Sequence, residues 1–191
     1  MSIAALRGAL CAAVCVWAGA ALPPVAAADP GQFPDLRGYA AVNAQDYRTY
    51  YAYSTTGVQF LAPGGYRCRM SYTTKASYLE AECWGVLLGT SHNAAKVALT
   101  ADFRPGDFGD VDVAAMEKYQ YLDGAGWHEG TVAPEAYKPL PAGKKVTQES
   151  WRSGPVAVCA ADTAMTACVI EDAKSDQRHG FVLTAPDSWT F

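Results

Sequence analysis

The positions of Cys68 and Cys83, in two segments of alternating apolar and polar residues, constrain the fold of this chain more than any other feature. Such alternation is typical of half-buried β-strands. In a hairpin closed near Lys75-Ala76, one register aligns every apolar residue of the inner face. Its pairs are Cys68 with Cys83, Met70 with Ala81 and Tyr72 with Leu79. A shift of one residue would turn the apolar side chains outward and separate the cysteines, so we predict a Cys68–Cys83 disulfide bond.

The opposite face of this hairpin carries charged side chains, and we expect it to face solvent. The same register pairs Arg69 with Glu82 and Arg67 with Trp84, which predicts an ion pair and a cation–π contact. Glu80 and Glu82 lie on this face together. Two nearby carboxylates can do glycosidase chemistry, but surface ion pairing explains two acids on one strand face more simply.

The C-terminal part of the chain repeats this arrangement. Residues 156–159 and 168–170 flank a turn at Thr163-Ala164. Their antiparallel pairing places Cys159 opposite Cys168 and Val158 opposite Val169, which predicts a second local disulfide bond. A crossed pairing of Cys68 with Cys159 between stacked sheets ranks second, because it leaves both hairpin registers unexplained. A four-cysteine metal site would favour Cys-x-x-Cys pairs, and the sequence contains none.

The N-terminal residues indicate export. Arg7 is followed by the apolar run 8–22 and then by Pro-Pro-Val-Ala-Ala-Ala, which is the pattern of a signal peptide cleaved before Asp29. We therefore predict a signal peptide at residues 1–28 and a secreted or cell-envelope-associated protein with no transmembrane segment after cleavage. Cys11 and Cys15 lie inside the signal peptide. Neither follows the small residue that a lipoprotein cysteine requires, so we expect no lipidation.

Charge and composition argue against some classes of partner and favour one fold class. The chain has 15 Lys and Arg residues against 19 Asp and Glu, and cleavage would remove Arg7 but no acid. Such a surface does not favour nucleic acid or an anionic membrane as a partner. Residues 29–191 suffice for a single secreted domain. Their period-two segments between Gly and Pro turns predict a mostly β, disulfide-stapled sandwich or barrel-like domain, with roughly six to nine short strands and at most one or two short helices.

Tyrosines are concentrated near residue 50. Residues 48–53 have the composition of a strand, and we expect Tyr47, Tyr51 and Tyr53 to share one of its faces. A row of tyrosines can bind a sugar or a peptide. It occurs more often on a strand that is half-buried in a sandwich, and we favour that interpretation.

The remaining segments have simpler local predictions. Ala62-Pro63-Gly64-Gly65 predicts a β-turn with a positive φ at Gly64. Residues 94–100 are predicted as a strand, 113–122 as a short helix with Ala115, Tyr119 and Leu122 along one side, 124–145 as a long surface connection, and 181–183 and 189–191 as sheet edges. Asp107, Asp110 and Asp112 suggest calcium, but their spacing does not fit the EF-hand loop. We expect a solvated loop with a helix N-cap at Asp110 or Asp112, and leave cation binding open.

An ordered series of short motifs runs through the mature chain. The motifs are Phe33-Pro34-Asp35-Leu36, Val58-x-Phe60-x-x-Pro63-x-Gly65-x-x-Cys68, Cys83-x-Gly85, Leu140-Pro141-x-Gly143, Cys159…Cys168, His179-Gly180-Phe181 and Trp189-x-Phe191. Together they resemble a family of small secreted actinobacterial, chiefly mycobacterial, proteins of unknown function, with two cysteine pairs and a C-terminal His-Gly-Phe motif. The resemblance implies an exported, envelope-associated or extracellular protein and supplies no catalytic residues.

Catalytic chemistry has little support in the sequence. There are three histidines, His92, His128 and His179, and no Gly-x-Ser-x-Gly, Ser-x-x-Lys or His-Glu-x-x-His motif. Cysteines in disulfide bonds supply no thiolate. His179 is the strongest candidate base, since Asp172 and Asp176 lie near it in sequence. We nevertheless expect it to enter a strand with its ring bonded to a backbone carbonyl.

These observations favour a non-catalytic secreted or cell-envelope protein that binds a wall polymer, a peptide or an envelope protein. The alternative is a small secreted hydrolase with a loop-built site that includes His179. We assign no catalytic, cofactor-binding or metal-binding residues. An exposed apolar patch would favour the binding protein, and a pocket with His179 beside a carboxylate and a hydroxyl would favour the hydrolase.

Overall fold

The computed structural model of the protein describes residues 33–100, 103–150 and 154–191. The predicted signal peptide, its cleavage site, Cys11 and Cys15 lie outside these residues. In chain order the strands are β1 (Ala40–Ala41), β2 (Arg48–Ala52), β3 (Thr55–Leu61), β4 (Arg67–Thr73), β5 (Tyr78–Trp84), β6 (Ala94–Leu99), β7 (Asp107–Gly109), β8 (Lys118–Leu122), β9 (Trp127–Thr131), β10 (Lys138–Pro139), β11 (Lys144–Glu149), β12 (Val156–Ala161), β13 (Met165–Asp172), β14 (Gln177–Thr184) and β15 (Trp189–Thr190). One short helix, α1 (Val113–Met116), and 3-10 turns at Leu36–Gly38, Ala44–Tyr47 and Pro134–Ala136 complete this described part.

Two sheets pack face to face as a β-sandwich. Each is built on a meander of four consecutive antiparallel strands, β3–β6 in the seven-stranded sheet and β11–β14 in the six-stranded sheet. The strands β2, β7 and β10 flank the first meander, and β1 and β15 flank the second. The prediction of a mostly β, disulfide-stapled domain is confirmed. The described residues form fifteen strands and not six to nine. Four of them have only two or three residues and leave no periodic signal in a sequence, and β8 and β9 lie in segments that were predicted as a helix and a surface connection.

Both predicted disulfide bonds are present, each between the second and third strands of a meander. Cys68 pairs with Cys83 at a Cα–Cα distance of 4.0 Å, and Cys159 with Cys168 at 4.1 Å. The predicted registers are also confirmed, from Met70 opposite Ala81 to Val158 and Val169 in the second hairpin. The crossed pairing is wrong.

The core lies between the two meanders. Phe60 and Met70 from the seven-stranded sheet meet Ile170, Phe181 and Leu183 from the six-stranded sheet, and all five side chains are fully buried. Each such burial stabilises the fold by about 1.5–3 kcal/mol. Along each strand, every other side chain points away from this core, to the opposite side of the sheet. We call that side the outer face, and the candidate sites lie there.

Each meander receives a short parallel strand from the other half of the chain. β1 precedes β3 in sequence but pairs with β11, and β10 precedes β11 but pairs with β3. A 3-10 turn followed by a tyrosine, Tyr39 or Tyr137, leads into each short strand. The N–H groups of Val42 and Leu140 then extend each pairing with hydrogen bonds of 2.9 Å. The two halves are therefore similar in topology, and each completes the sheet of the other.

Two predictions for residues 113–145 are wrong. The helix begins after its N-cap, Asp112, which accepts a 2.9 Å hydrogen bond from the Ala114 N–H, but it ends at Met116. Residues 118–122 instead form a strand paired with Trp127–Thr131, because Lys-Tyr-Gln-Tyr alternates and tyrosine favours strands. The long surface connection at 124–145 contains this second strand, β10 and the start of β11.

Three smaller predictions also need correction. A β-bulge between Arg48 and Tyr50 breaks the alternation of β2, so Tyr47 and Tyr50 are buried while Tyr51 and Tyr53 are exposed. The turn after β3 has its positive φ, 84°, at Gly65 and not at Gly64. Residues 181–183 lie inside β14, which has a neighbour on each side, so only β15 is an edge there. The strand predicted at 94–100 is confirmed as β6.

Candidate binding surfaces

The outer face of the seven-stranded sheet is covered by the β8–β9 hairpin. The rings of Tyr119 and Tyr50 stack in parallel with their centroids 3.9 Å apart. Each ring lies against the glycine opposite it in its own strand pair, Gly130 for Tyr119 and Gly57 for Tyr50. A Cβ atom at either glycine would come within 2.4 Å of the ring. Because Gly130 and Gly57 have no side chain, the hairpin can approach the sheet closely.

Glu117 fastens the start of the hairpin to the same face. Its carboxylate accepts hydrogen bonds from Arg67 Nη1 at 2.5 Å, from Trp84 Nε1 at 3.2 Å and from the Tyr137 hydroxyl at 2.7 Å. Glu117 and Trp84 are buried. A buried carboxylate with three donors, one of them an arginine, is a structural anchor.

The predicted ion pair between Arg69 and Glu82 is present but buried. Arg69 is 8% exposed and Glu82 4% exposed, because the hairpin covers them. Arg69 Nε donates to Glu82 Oε1 at 2.9 Å, and Arg69 Nη1 donates to the carbonyls of Met116 and Lys118 at 3.1 Å. The expectation of a solvent-facing surface is therefore wrong here.

The cation–π contact predicted between Arg67 and Trp84 is replaced by two others. The Arg69 guanidinium lies 5.3 Å from the Trp84 ring centroid, and the Arg67 guanidinium lies 5.5 Å from that of Tyr137. Arg67 is opposite Trp84 in register, as predicted. Its guanidinium instead contacts Tyr137, which lies in the segment 124–145 that was predicted as a surface connection.

The two acids on β5 have different surroundings. Burial disfavours the charged form of Glu80, but donors from Lys96 at 2.8 Å, Tyr78 at 2.5 Å and Ser71 at 2.8 Å outweigh it and lower the Glu80 pKa. Burial and the neighbouring Glu80 charge raise the pKa of Glu82 against the effect of Arg69. A cavity of about 170 Å³ beside Glu80 is lined mainly by polar residues. All these partners belong to the protein, so we interpret the pair as structural.

Three exposed aromatic side chains lie in β2, directly after β2 and at the start of β9. Tyr51, Tyr53 and Trp127 are 71%, 61% and 72% exposed. Tyr53 adopts a φ of 55°, and the Gly124 Cβ position would lie 3.9 Å from its hydroxyl. Exposed tyrosine and tryptophan can contribute to binding a partner.

The outer face of the six-stranded sheet is only partly covered. Residues 33–37 cross it from β14 toward β11. The Arg178 guanidinium lies over the Phe33 ring, 4.8 Å from the ring centroid, and the carbonyl of Leu36 accepts a 2.9 Å hydrogen bond from Lys145 Nζ. This segment packs over Ala167 and Val182. A groove remains beside it.

The groove has a volume of about 520 Å³ and an apolar floor. Val158 and Val169 lie on adjacent strands of the floor, and Thr147 continues their row on β11. Phe33, Pro34 and Leu36 form one wall. The charged residues that line it are Asp35, Arg37, Lys145, Glu171 and Arg178. The Arg37 guanidinium binds both carboxylate oxygens of Asp35 and holds the pKa of that carboxyl at about 2.

The histidines lie apart from the groove. His179 is on β14, its ring is edge-on to Phe103 with centroids 4.7 Å apart, and its Nδ1 is buried without a hydrogen bond. The expected bond from this ring to a carbonyl is therefore not seen at Nδ1. His128 Nε2 lies 2.9 Å from Asp123 Oδ1, and His92 Nδ1 lies 3.4 Å from Asp110 Oδ2.

The three aspartates of the 107–112 loop have structural roles. Asp112 caps α1, and Asp110 Oδ1 accepts the Asn93 N–H at 3.2 Å. Asp107 begins β7 and pairs with Lys96 in the β6–β7 register. Across the ranges that the structure describes, no group of three His, Cys, Asp or Glu side chains is placed to hold a metal ion.

The groove was not predicted from the sequence. Val158 was placed opposite Val169 without a face being assigned to the pair, although strand alternation puts both valines on the face away from the cysteines. That apolar outer pair was the available signal. The wall contributed by residues 33–37 had no such signal, because the segment is irregular and its contacts are more than a hundred residues away in sequence.

No helix in the described part of the chain is both long and apolar enough to cross a membrane. Comparison with known proteins adds no assignment: no protein-family model, curated protein or solved structure matches the chain. The resemblance to the actinobacterial family stays a prediction.

Proposed function

We propose that the protein is a non-catalytic secreted or cell-envelope protein, of the actinobacterial family that it resembles, and that it holds an extracellular ligand in the groove beside Phe33. The groove volume of about 520 Å³ falls within the range of roughly 300–1,000 Å³ that is usual for small-molecule sites. The two disulfide bonds support an oxidising compartment such as the cell exterior.

A difference between the outer faces of the two meanders carries this proposal. Val158 and Val169 flank Cys159 and Cys168 on the outer face, as Arg67 and Trp84 flank the first cysteine pair. In the seven-stranded sheet those positions are occupied by side chains that anchor Glu117 and the hairpin. In the six-stranded sheet the same positions are apolar and line a groove. Of this pair Val169 is only 1% exposed, whereas Val158 is half-buried. A groove that no described segment of the chain fills, with Val158, Phe33 and Leu36 in its apolar lining, supports a ligand site.

The hydrolase alternative requires a carboxylate and a hydroxyl beside the imidazole of His179. The ring contacts Phe103, and no specific observation favours this alternative. The envelope ligands named for the binding protein, a wall polymer, a peptide or another protein, all remain compatible with a groove that opens along the sheet.

Capture from cell-envelope extract tests the proposal. The mature chain, residues 29–191, is immobilised as wild type, as Val158→Asp and as Val86→Asp. Val158 lines the groove, whereas Val86 is 89% exposed between β5 and β6 and serves as the matched control.

We expect wild type and Val86→Asp to retain the same envelope component and Val158→Asp to lose it, because a charge on the floor must be desolvated by an apolar ligand. Equal retention by all three proteins, or retention by none, would contradict the proposal.

A further inference from the structure

We infer that the groove binds a long-chain carboxylate, with its apolar tail on the Val158–Val169 floor and its carboxylate at the β11 end. This inference rests on the proposed function and adds the chemical class of the ligand. It follows from the direction of the groove and from the unequal charges at its two ends.

The β11 end of the groove is positively charged. Lys145 and Thr147 project from β11 on the outer face, two residues apart. Asp35 beside them is bound by Arg37 through both carboxylate oxygens, so these two charges cancel locally. The Lys145 ammonium donates one hydrogen bond to the Leu36 carbonyl and has two further protons to donate. An anionic head group beside Lys145 and the Thr147 hydroxyl would receive charge-assisted hydrogen bonds.

The β14 end of the groove has no net charge. Glu171 on β13 lies opposite Arg178 on β14 in the strand register, and the Arg178 guanidinium lies over the Phe33 ring. A carboxylate placed here would meet the negative charge of Glu171. The two ends therefore orient an amphipathic anion with its head toward β11.

The floor between the two ends suits an extended hydrocarbon chain. From Thr147 the row passes through Val158 and Val169 toward β14, crossing three strand spacings, or roughly 14 Å. Leu36 and Phe33 follow the same direction along the wall. Val169 is already buried, so a tail would replace water at the half-buried Val158 and along the half-buried wall residues Phe33, Pro34 and Leu36. The chain's net charge of −4 makes the positive end of the groove distinctive.

Isothermal titration with dodecanoate, below its micelle concentration, tests the inference on the mature chain. Dodecyl maltoside, which has the same tail and an uncharged head, tests the role of the carboxylate, and acetate tests the role of the tail. The variants are Lys145→Met for the head group and Val158→Asp for the floor. Lys75→Met and Val86→Asp are matched controls at exposed positions elsewhere.

We expect one dodecanoate per chain, binding about tenfold weaker in Lys145→Met and in Val158→Asp, unchanged binding in both controls, and no measurable binding of acetate. Dodecyl maltoside should bind about tenfold more weakly than dodecanoate. Val158→Thr, which keeps the side-chain shape, gives the same test at the floor if Val158→Asp does not fold.

The inference is overturned if Lys145→Met and Val158→Asp bind dodecanoate as wild type does, or if the uncharged detergent binds equally well. The proposed function can fail separately. If wild type does not bind dodecanoate but still captures an envelope component that Val158→Asp loses, the ligand class is wrong and the groove remains the site. If the capture also fails, both proposals are wrong.

Discussion

Replacing Gly130 by alanine should loosen the β8–β9 hairpin from the seven-stranded sheet. The new Cβ would lie 2.4 Å from Tyr119 Cζ, whereas favourable carbon contacts need about 3.5 Å. The ring would therefore have to move by about 1 Å. It cannot move toward the sheet, because its face already stacks on Tyr50 with a centroid distance of 3.9 Å, and Tyr50 in turn lies against Gly57.

The cost can be bounded from these contacts. Overpacking of a well-packed site usually costs about 1–3 kcal/mol, and the loss of a stacked aromatic pair accounts for about 0.5–1.5 kcal/mol of that. We expect Gly130→Ala to lower the free energy of unfolding by about 2 kcal/mol. Amide hydrogen exchange should accelerate in residues 118–131 first, because the hairpin can open without unfolding the sandwich.

Urea denaturation measures the effect, with Gly109→Ala as its control. Gly109 lies in β7 and a Cβ there meets no atom within 4 Å, so this variant should stay within about 0.5 kcal/mol of wild type. A double-mutant cycle with Tyr119→Ala isolates the cause, because Gly130→Ala should cost little once the ring is gone. An equal cost with and without the Tyr119 ring would refute the reasoning.

Three further changes test other parts of the structure by the same denaturation assay. Replacing Cys159 and Cys168 together by alanine should cost about 2 kcal/mol, the low end for a short closed loop; no change would exclude that contribution. Glu117→Gln should cost about 2–3 kcal/mol, because Arg67 loses its buried counter-charge, and an unaffected protein would count against the anchor. The folded-state pKa of Glu80 lies below its ordinary value of 4.5, so its contribution is full above that pH and is lost as the pH falls through the folded pKa. Glu80→Gln should therefore lose less stability on acidification than wild type does, and parallel acid profiles would contradict this.

The hairpins closed by disulfide bonds could be predicted because their signals are local and redundant. At Cys68 and Cys83 the apolar period, the cysteine pair and the Arg69–Glu82 charge pair all select one register. A single residue of slip would violate all three together. The Cys159–Cys168 hairpin had two of these signals, and they were sufficient.

What covers each outer face could not be predicted in the same way. The burial of Arg69 depends on Met116 and Lys118, more than forty residues away in sequence. The strand at 118–122 alternates in the sequence, but a helix was favoured there. An N-cap was expected at Asp110 or Asp112, and the helix that begins after Asp112 was extended beyond its end at Met116. An edge strand of two residues, such as β1, has no pattern at all and depends wholly on its distant partner.

The exchanged strands β1 and β10 also determine how the protein would respond to a break in its chain. A protease cut in the exposed turn between β8 and β9 would leave two fragments, and each disulfide bond lies within one fragment. Because β1 remains in the sheet of the second fragment and β10 in that of the first, the fragments stay interlaced. A nicked protein would migrate as one particle under native conditions, yet separate into two bands in denaturant even without reductant. Neither fragment alone carries all the strands of its own sheet.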